Sequence, residues 1–208
     1  MALIGLVADT HCERPDGSDL PRAVLRAFES VDLILHCGDL MTLGVLDRLR
    51  AVAPVIAVRS RADPKAEHEA LCDAPRVLQV DGVSVGMLSR PGDLPALSDV
   101  GDDMATDIGA LRSRVADVFD REVDLVCHRG SHRDQLQLSR GTLFIDPGSP
   151  TFWSGKRATV ALLGVGDGAV DVSILDITSQ LTVRHRLARR QGEIRQWWWD
   201  RKLSAQGS

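Results

Sequence analysis

Short apolar runs alternating with helical periodicity over the first 58 residues constrain this chain more than any other feature. Ala2 to Ala8 forms one such run; Leu20, Val24, Leu25 and Phe28 then recur at helical spacing, and Val31-Asp-Leu-Ile-Leu35 is apolar again. A second helical stretch, at about 40 to 51, leads into Pro54-Val-Ile-Ala-Val58. Strand, helix, strand, helix, strand predicts a parallel sheet, because a crossover helix is what returns the next strand parallel to the last.

The period then changes. Arg76 to Val80, the turn Asp81-Gly82 and Val83 to Leu88 predict a hairpin. Residues 103 to 120 carry a helical pattern (Met104, Ile108, Leu111, Val115, Val118) and lead into Val123 to Cys127. Thr142 to Ile145, Ala158 to Leu163 and Val170 to Leu175 read as further strands, so the expected sheet is mixed and partly antiparallel. With 208 residues, 44% of them hydrophobic, the chain can fill one core.

No stretch approaches the roughly 18 apolar residues of a membrane span, and the start lacks the basic residues of a leader. A cytoplasmic protein with no membrane partner is expected. Cys12, Cys37, Cys72 and Cys127 are scattered without a Cys-x-x-Cys pair, which argues for reduced thiols.

Charge divides the chain unevenly. Residues 179 to 208 hold seven Arg or Lys against two acids, a net of +5 that leaves −9 on the rest of a chain whose total is −4. Residues 1–178 are therefore read as the folded domain and 179–208 as a basic, Trp-rich extension. Within it Leu181 to Leu187 alternates like an edge strand, and Trp197, Trp198 and Trp199 stand in a row. Basic residues beside aromatics suit single-stranded nucleic acid, but packing, a protein partner or self-association is preferred, because three adjacent Trp cannot share one face.

Chemistry should gather where the apolar runs end, since open α/β sheets bind ligands beyond the carboxyl ends of their strands. Those ends read Asp9-Thr-His11, His36-Cys-Gly-Asp39, Arg59-Ser-Arg-Ala-Asp63, Ser89-Arg-Pro-Gly92, His128-Arg-Gly-Ser-His132 and Asp146-Pro-Gly-Ser149. In order and spacing over about residues 2 to 176 the chain resembles the calcineurin-like metallophosphoesterases, in particular the branch of YfcE-type phosphodiesterases and the retromer subunit. The resemblance implies an αββα sandwich with mixed sheets. It also implies a first metal held by Asp9, His11, Asp39 and His132, two imidazoles and two carboxylates suited to one manganese, zinc or iron ion.

The second metal of the family would share Asp39 and take an Asn and two His at positions held here by Arg61, Arg90 and Gly130. None of these can supply a side-chain ligand, because arginine stays protonated and glycine has no side chain. Two guanidiniums bring about the charge of the missing ion in a form that grips phosphate. Asp39, Arg61 and Arg90 are accordingly the candidate catalytic residues, with Arg61 and Arg90 binding a phosphate or phosphoester. Equally, both arginines could pair with Asp39 and Asp63 and merely fill the pocket.

His128 lies four residues before His132 rather than two, so it does not match the lost ligand, and His36 sits inside an apolar run where a satisfied core histidine is expected. Cys12 and Cys37 flank ligand positions and are read as small buried residues. The acidic stretch Asp93 to Asp103 is read as a solvated loop. Two functions follow: a one-metal phosphoesterase or phosphodiesterase of weak or altered activity, or an inactive family member that serves as a protein-binding or assembly module.

Overall fold

In the computed structural model β1 (Ala2–Val7) is central, and the crossovers around it are those the sequence predicts. From β1 the chain passes through α1 (Arg22–Ala27), β2 (Leu33–His36), α2 (Gly44–Arg50), β3 (Val55–Val58) and β4 (Leu71–Cys72), and β1 to β4 pair in parallel. It continues through β5 (Arg76–Val80), β6 (Val83–Met87), α3 (Val115–Phe119), β7 (Leu125–Cys127), β8 (Asp134–Ser139) and β9 (Thr142–Pro147). The last elements are β10 (Thr159–Gly166), β11 (Ala169–Asp176), β12 (Thr182–Arg190) and β13 (Glu193–Lys202). The structure describes residues 1–90, 92, 111–151, 157–166, 169–179, 182–190 and 193–202, the last two segments by backbone alone.

Two mixed sheets result. One runs β13-β12-β11-β10-β1-β2-β3-β4 and the other β5-β6-β7-β9-β8. Strand alternation assigns their faces. Ile4, Leu6, Leu35, Val58, Leu163 and Val172 of the first sheet meet Val85, Met87, Leu125 and Ile145 of the second in one core. On the outer face of the first sheet, Val7, Ile34 and Ala57 pack with Val24 and Phe28 at α1 and Leu46 and Leu49 of α2. On the outer face of the second, Val126 and Phe144 pack with Val115, Val118 and Phe119 of α3. These layers are the expected αββα sandwich.

Each helix layer presses a phenylalanine onto a strand glycine. A Cβ on Gly5 would lie 2.8 Å from Phe28 Cδ1, and one on Gly86 would lie 2.8 Å from Phe119 Cε1. Both glycines are therefore packing requirements within β1 and β6.

Some elements differ from the sequence reading. Asp134 to Ser139 forms β8, unforeseen because its apolar positions are only Leu136 and Leu138; the two-residue turn Arg140-Gly141, with φ of 48° and 86°, folds it onto β9. The helix expected over 103–120 is seen as α3, while Met104, Ile108 and the loop Asp93 to Asp103 lie outside the described residues. The expected edge strand forms as β12, but β13 pairs beyond it, so it is interior. No helix among the described residues is long and apolar enough to cross a membrane.

The Gly5 contact predicts that Gly5→Ala costs about 1–3 kcal/mol in urea denaturation, because the Phe28 ring must shift in a filled layer. Phe28→Leu in the Gly5→Ala background should then cost less than in the wild type, a coupling a double-mutant cycle measures.

Candidate metal centre

The loops that leave β1, β2 and β7 bring Asp9, His11, Asp39 and His132 together at the carboxyl ends of the strands. All four residues have left-handed backbones, with φ of 50°, 45°, 62° and 53°, and they are half of the eight such non-glycine residues among those described. Asp and His tolerate this region better than most side chains, yet each costs roughly 1–2 kcal/mol. Such strain persists only where surroundings over-determine it.

They do so here. Asp9 N donates to Gly38 O (3.1 Å), His11 N to Asp39 O (3.2 Å) and Cys12 N to Leu40 O (3.2 Å), zipping the first loop to the second. Ser149 Oγ donates to Asp9 O at 2.7 Å and Thr151 Oγ1 to Thr10 O at 2.7 Å. Asp63, buried beyond β3, accepts the N–H groups of Asp39 (3.1 Å), Leu40 (2.6 Å) and Ser60 (2.7 Å). Asp146 accepts from Ser131 N and Oγ on one oxygen and from Gly148 N on the other, which fixes the loop carrying His132. Gly38, at φ 94°, is required because a Cβ would lie 2.9 Å from Ser89 Oγ and 3.0 Å from Val58 O.

The four side chains each offer a ligand atom, and these atoms lie within 4.8 Å of one another. No other such cluster of three or more Asp, Glu, His or Cys occurs among the described residues. The Nε2 atoms of His11 and His132 face each other at 2.9 Å, their rings tilted by 34°. Asp39 Oδ1 is 3.8 Å from His11 Nδ1, and Asp9 Oδ1 is 3.9 Å from His132 Nε2. Asp9 is fully buried, and its Oδ2 has no hydrogen-bond partner among the described residues. Burial pushes the Asp9 carboxyl up to about 8 although Arg129 pulls it down, with Asp146 and Asp39 adding repulsion. Burial, reinforced by His11, lowers His132 and favours the neutral imidazole that a ligand needs. Two ring nitrogens, two carboxylates and an orphaned buried oxygen fit one divalent ion such as zinc, manganese or iron.

An arginine, Arg129, touches both acids. Its Nη1 lies 3.2 Å from Asp9 Oδ1 and 3.1 Å from Asp39 Oδ2, while its Nε donates to Ser89 Oγ at 2.9 Å. Sequence spacing did not single it out, since Arg129 precedes the residue that matches a ligand position; its only signal was a lone arginine between His128 and Gly130. Arg61 is exposed on the turn after β3, Arg90 is half-buried just past β6, and Gly130 has φ of 144°.

The remaining candidates take structural places. Gly38 N donates to His36 Nδ1 at 3.0 Å, which leaves Nε2–H to donate to Thr10 Oγ1 at 3.1 Å; burial lowers His36 to about 4 and keeps it neutral. His128 is buried outside the four-residue cluster. Cys12 and Cys37 are buried free thiols, Cys12 pushed up to about 12 and Cys37 well above its ordinary value by desolvation.

Residues 2–168 match the family model of the calcineurin-like phosphoesterase superfamily domain. A probable metallophosphoesterase of Methanocaldococcus jannaschii is 30% identical over 174 residues, 79% of this chain and 77% of the relative. The crystal structure of Vps29 from Entamoeba histolytica complexed with zinc superposes with a TM-score of 0.66 at 18% identity, covering 89% of this chain and 98% of that one. A structure described as a novel archaeal phosphodiesterase gives a TM-score of 0.56 at 20% identity, covering 83% and 99%. The two structural likenesses are evidence of the shared fold.

Because Asp63 holds the Asp39 loop through two N–H donors, Asp63→Asn should weaken zinc binding about 10–100-fold in calorimetric titration, with the sheet's circular dichroism unchanged.

Proposed function

We propose, on the premise that this chain belongs to the calcineurin-like phosphoesterase superfamily, that it holds one divalent ion at Asp9, His11, Asp39 and His132 and hydrolyses a phosphoester weakly. The observation that carries the reading is the buried Oδ2 of Asp9, without a partner among the described residues, within a cluster of four preorganised candidate ligands. A buried carboxylate oxygen without a partner is costly, and a coordinated cation removes that cost.

A divalent ion in this cradle would supply Lewis acidity toward a phosphoryl oxygen and lower the pKa of water. The protein's part is electrostatic and positional. Asp9 and Asp39 provide negative charge, His11 and His132 neutral nitrogen donors, and Asp63 and Asp146 hold the loops in place. Arg61 and Arg90, which follow the ends of β3 and β6, bind the phosphoester oxygens. With Arg61, Arg90 and Gly130 in place of second-metal ligands, only one metal ion is available to activate water and stabilise the transition state, so turnover is weak. The phosphoester site belongs to residues 1–178; the basic extension 179–208 is left for a protein partner or a second copy.

A second reading is a family member that binds or assembles with a protein partner without turnover. Its support is the replacement of the same three ligand positions, together with the fold likeness to Vps29 proteins, named for vacuolar protein sorting.

Hydrolysis of bis-p-nitrophenyl phosphate by protein loaded with manganese, zinc or iron decides between them. The enzyme reading expects a measurable rate that Asp39→Asn lowers by about 100-fold or more, and it expects Arg61→Ala and Arg90→Ala to raise KM more than they lower kcat. No turnover with any of the three metals supports the assembly reading.

A further inference from the structure

We infer that Arg129 is a resident counter-charge that shares the centre with a single divalent ion and stays in place when that ion binds. The inference rests on the one-metal reading above and adds the group that balances its charge. Arg129 is 9% exposed and is gripped by Ser89 twice, through Nε to Oγ at 2.9 Å and through its backbone N–H to Ser89 O at 3.4 Å. Those contacts seat the guanidinium independently of the acids it faces.

Its reach divides the carboxylates. Nη1 engages Oδ1 of Asp9 and Oδ2 of Asp39, leaving Asp9 Oδ2 without a partner among the described residues and Asp39 Oδ1 turned toward His11. Among the described residues Arg129 leaves one oxygen of each acid clear, while Asp9 Oδ1, the oxygen 3.9 Å from His132 Nε2, is shared with it. Its bond to Ser89 depends on neither acid.

Charge points the same way. Ionised as ligands, the two carboxylates carry −2; Arg129 reduces this to −1, which still attracts one divalent ion. A second divalent ion beside a fixed guanidinium would leave a buried excess of +3, which the interior does not tolerate unpaired. Arg129 therefore lowers the affinity for the first ion while holding the acids together before it arrives.

The test uses the full chain with zinc and manganese. In protein labelled with 15N-arginine, the Arg129 Nε–H signal, assigned by its loss in Arg129→Lys, should persist after zinc saturation because the bond to Ser89 remains. Its disappearance on zinc binding means displacement and overturns the inference. In calorimetric titration with manganese, wild type should take one ion per chain. Arg129→Met should bind that ion about tenfold or more tighter, whereas Arg129→Lys, which keeps the charge, should stay within about threefold of wild type. Equal or weaker binding by a folded Arg129→Met overturns the inference, as does uptake of two ions by wild type. If Arg129→Met does not fold, the labelled wild-type spectrum still decides. Absence of metal binding in wild type and both variants refutes the one-metal reading underneath, a result distinct from failure of Arg129's role alone.

Discussion

Two carboxylates, Asp9 and Asp39, are withdrawn from water at the end of a sheet sandwich, and the architecture around them follows from the need to compensate that charge. Asp9 is completely buried, and its carboxyl is pushed up to about 8 even with Arg129 beside it. When both acids are ionised, one guanidinium leaves them short of positive charge, which is why the cluster could hold a further cation.

Holding ligands in left-handed conformations is expensive, and the payment is visible in the polar contacts that the loops make. Ser149 and Thr151 fasten the Asp9 turn, Asp63 fastens the Asp39 turn, and Asp146 fastens the turn before His132. These anchors come from the ends of β3 and β9 and the segment after β9, so separate strands must be in register before the four ligands meet. The cradle is a property of the assembled sheets, and its polar anchors hold side chains of like charge close together.

Much of this was legible in the sequence because the relevant signals are local. Apolar runs closed by Asp and His located the strand ends, and motif order placed Asp9, His11, Asp39 and His132 at one site. The strand β8 was harder to see, since two leucines among polar residues carry little periodicity until β9 supplies a partner. Arg129 was illegible for a different reason. A ligand motif is read by the residues that match it, whereas the role of Arg129 arises from a three-dimensional fit to Ser89, Asp9 and Asp39, up to 120 residues away in sequence. The anchoring by Asp63 was likewise obscured, because Arg61 and Arg90 suggested ion pairing with it while its hydrogen bonds run to backbone N–H groups.

Gly130 and Arg129 belong to one structural solution. At φ 144° the Gly130 backbone lies where an L-residue is strained, so a histidine there would have to change the loop as well as add a side chain. His132, two residues later, is fixed at φ 53° within a loop that Asp146 holds through Ser131. Loop movement that relieved position 130 would therefore act on a first-metal ligand and on the arginine seated against Ser89. Under the one-metal proposal, replacing those side chains alone is not expected to rebuild a two-metal centre. The backbone conformation and the guanidinium together favour an arrangement in which one ion and one arginine face the two acids.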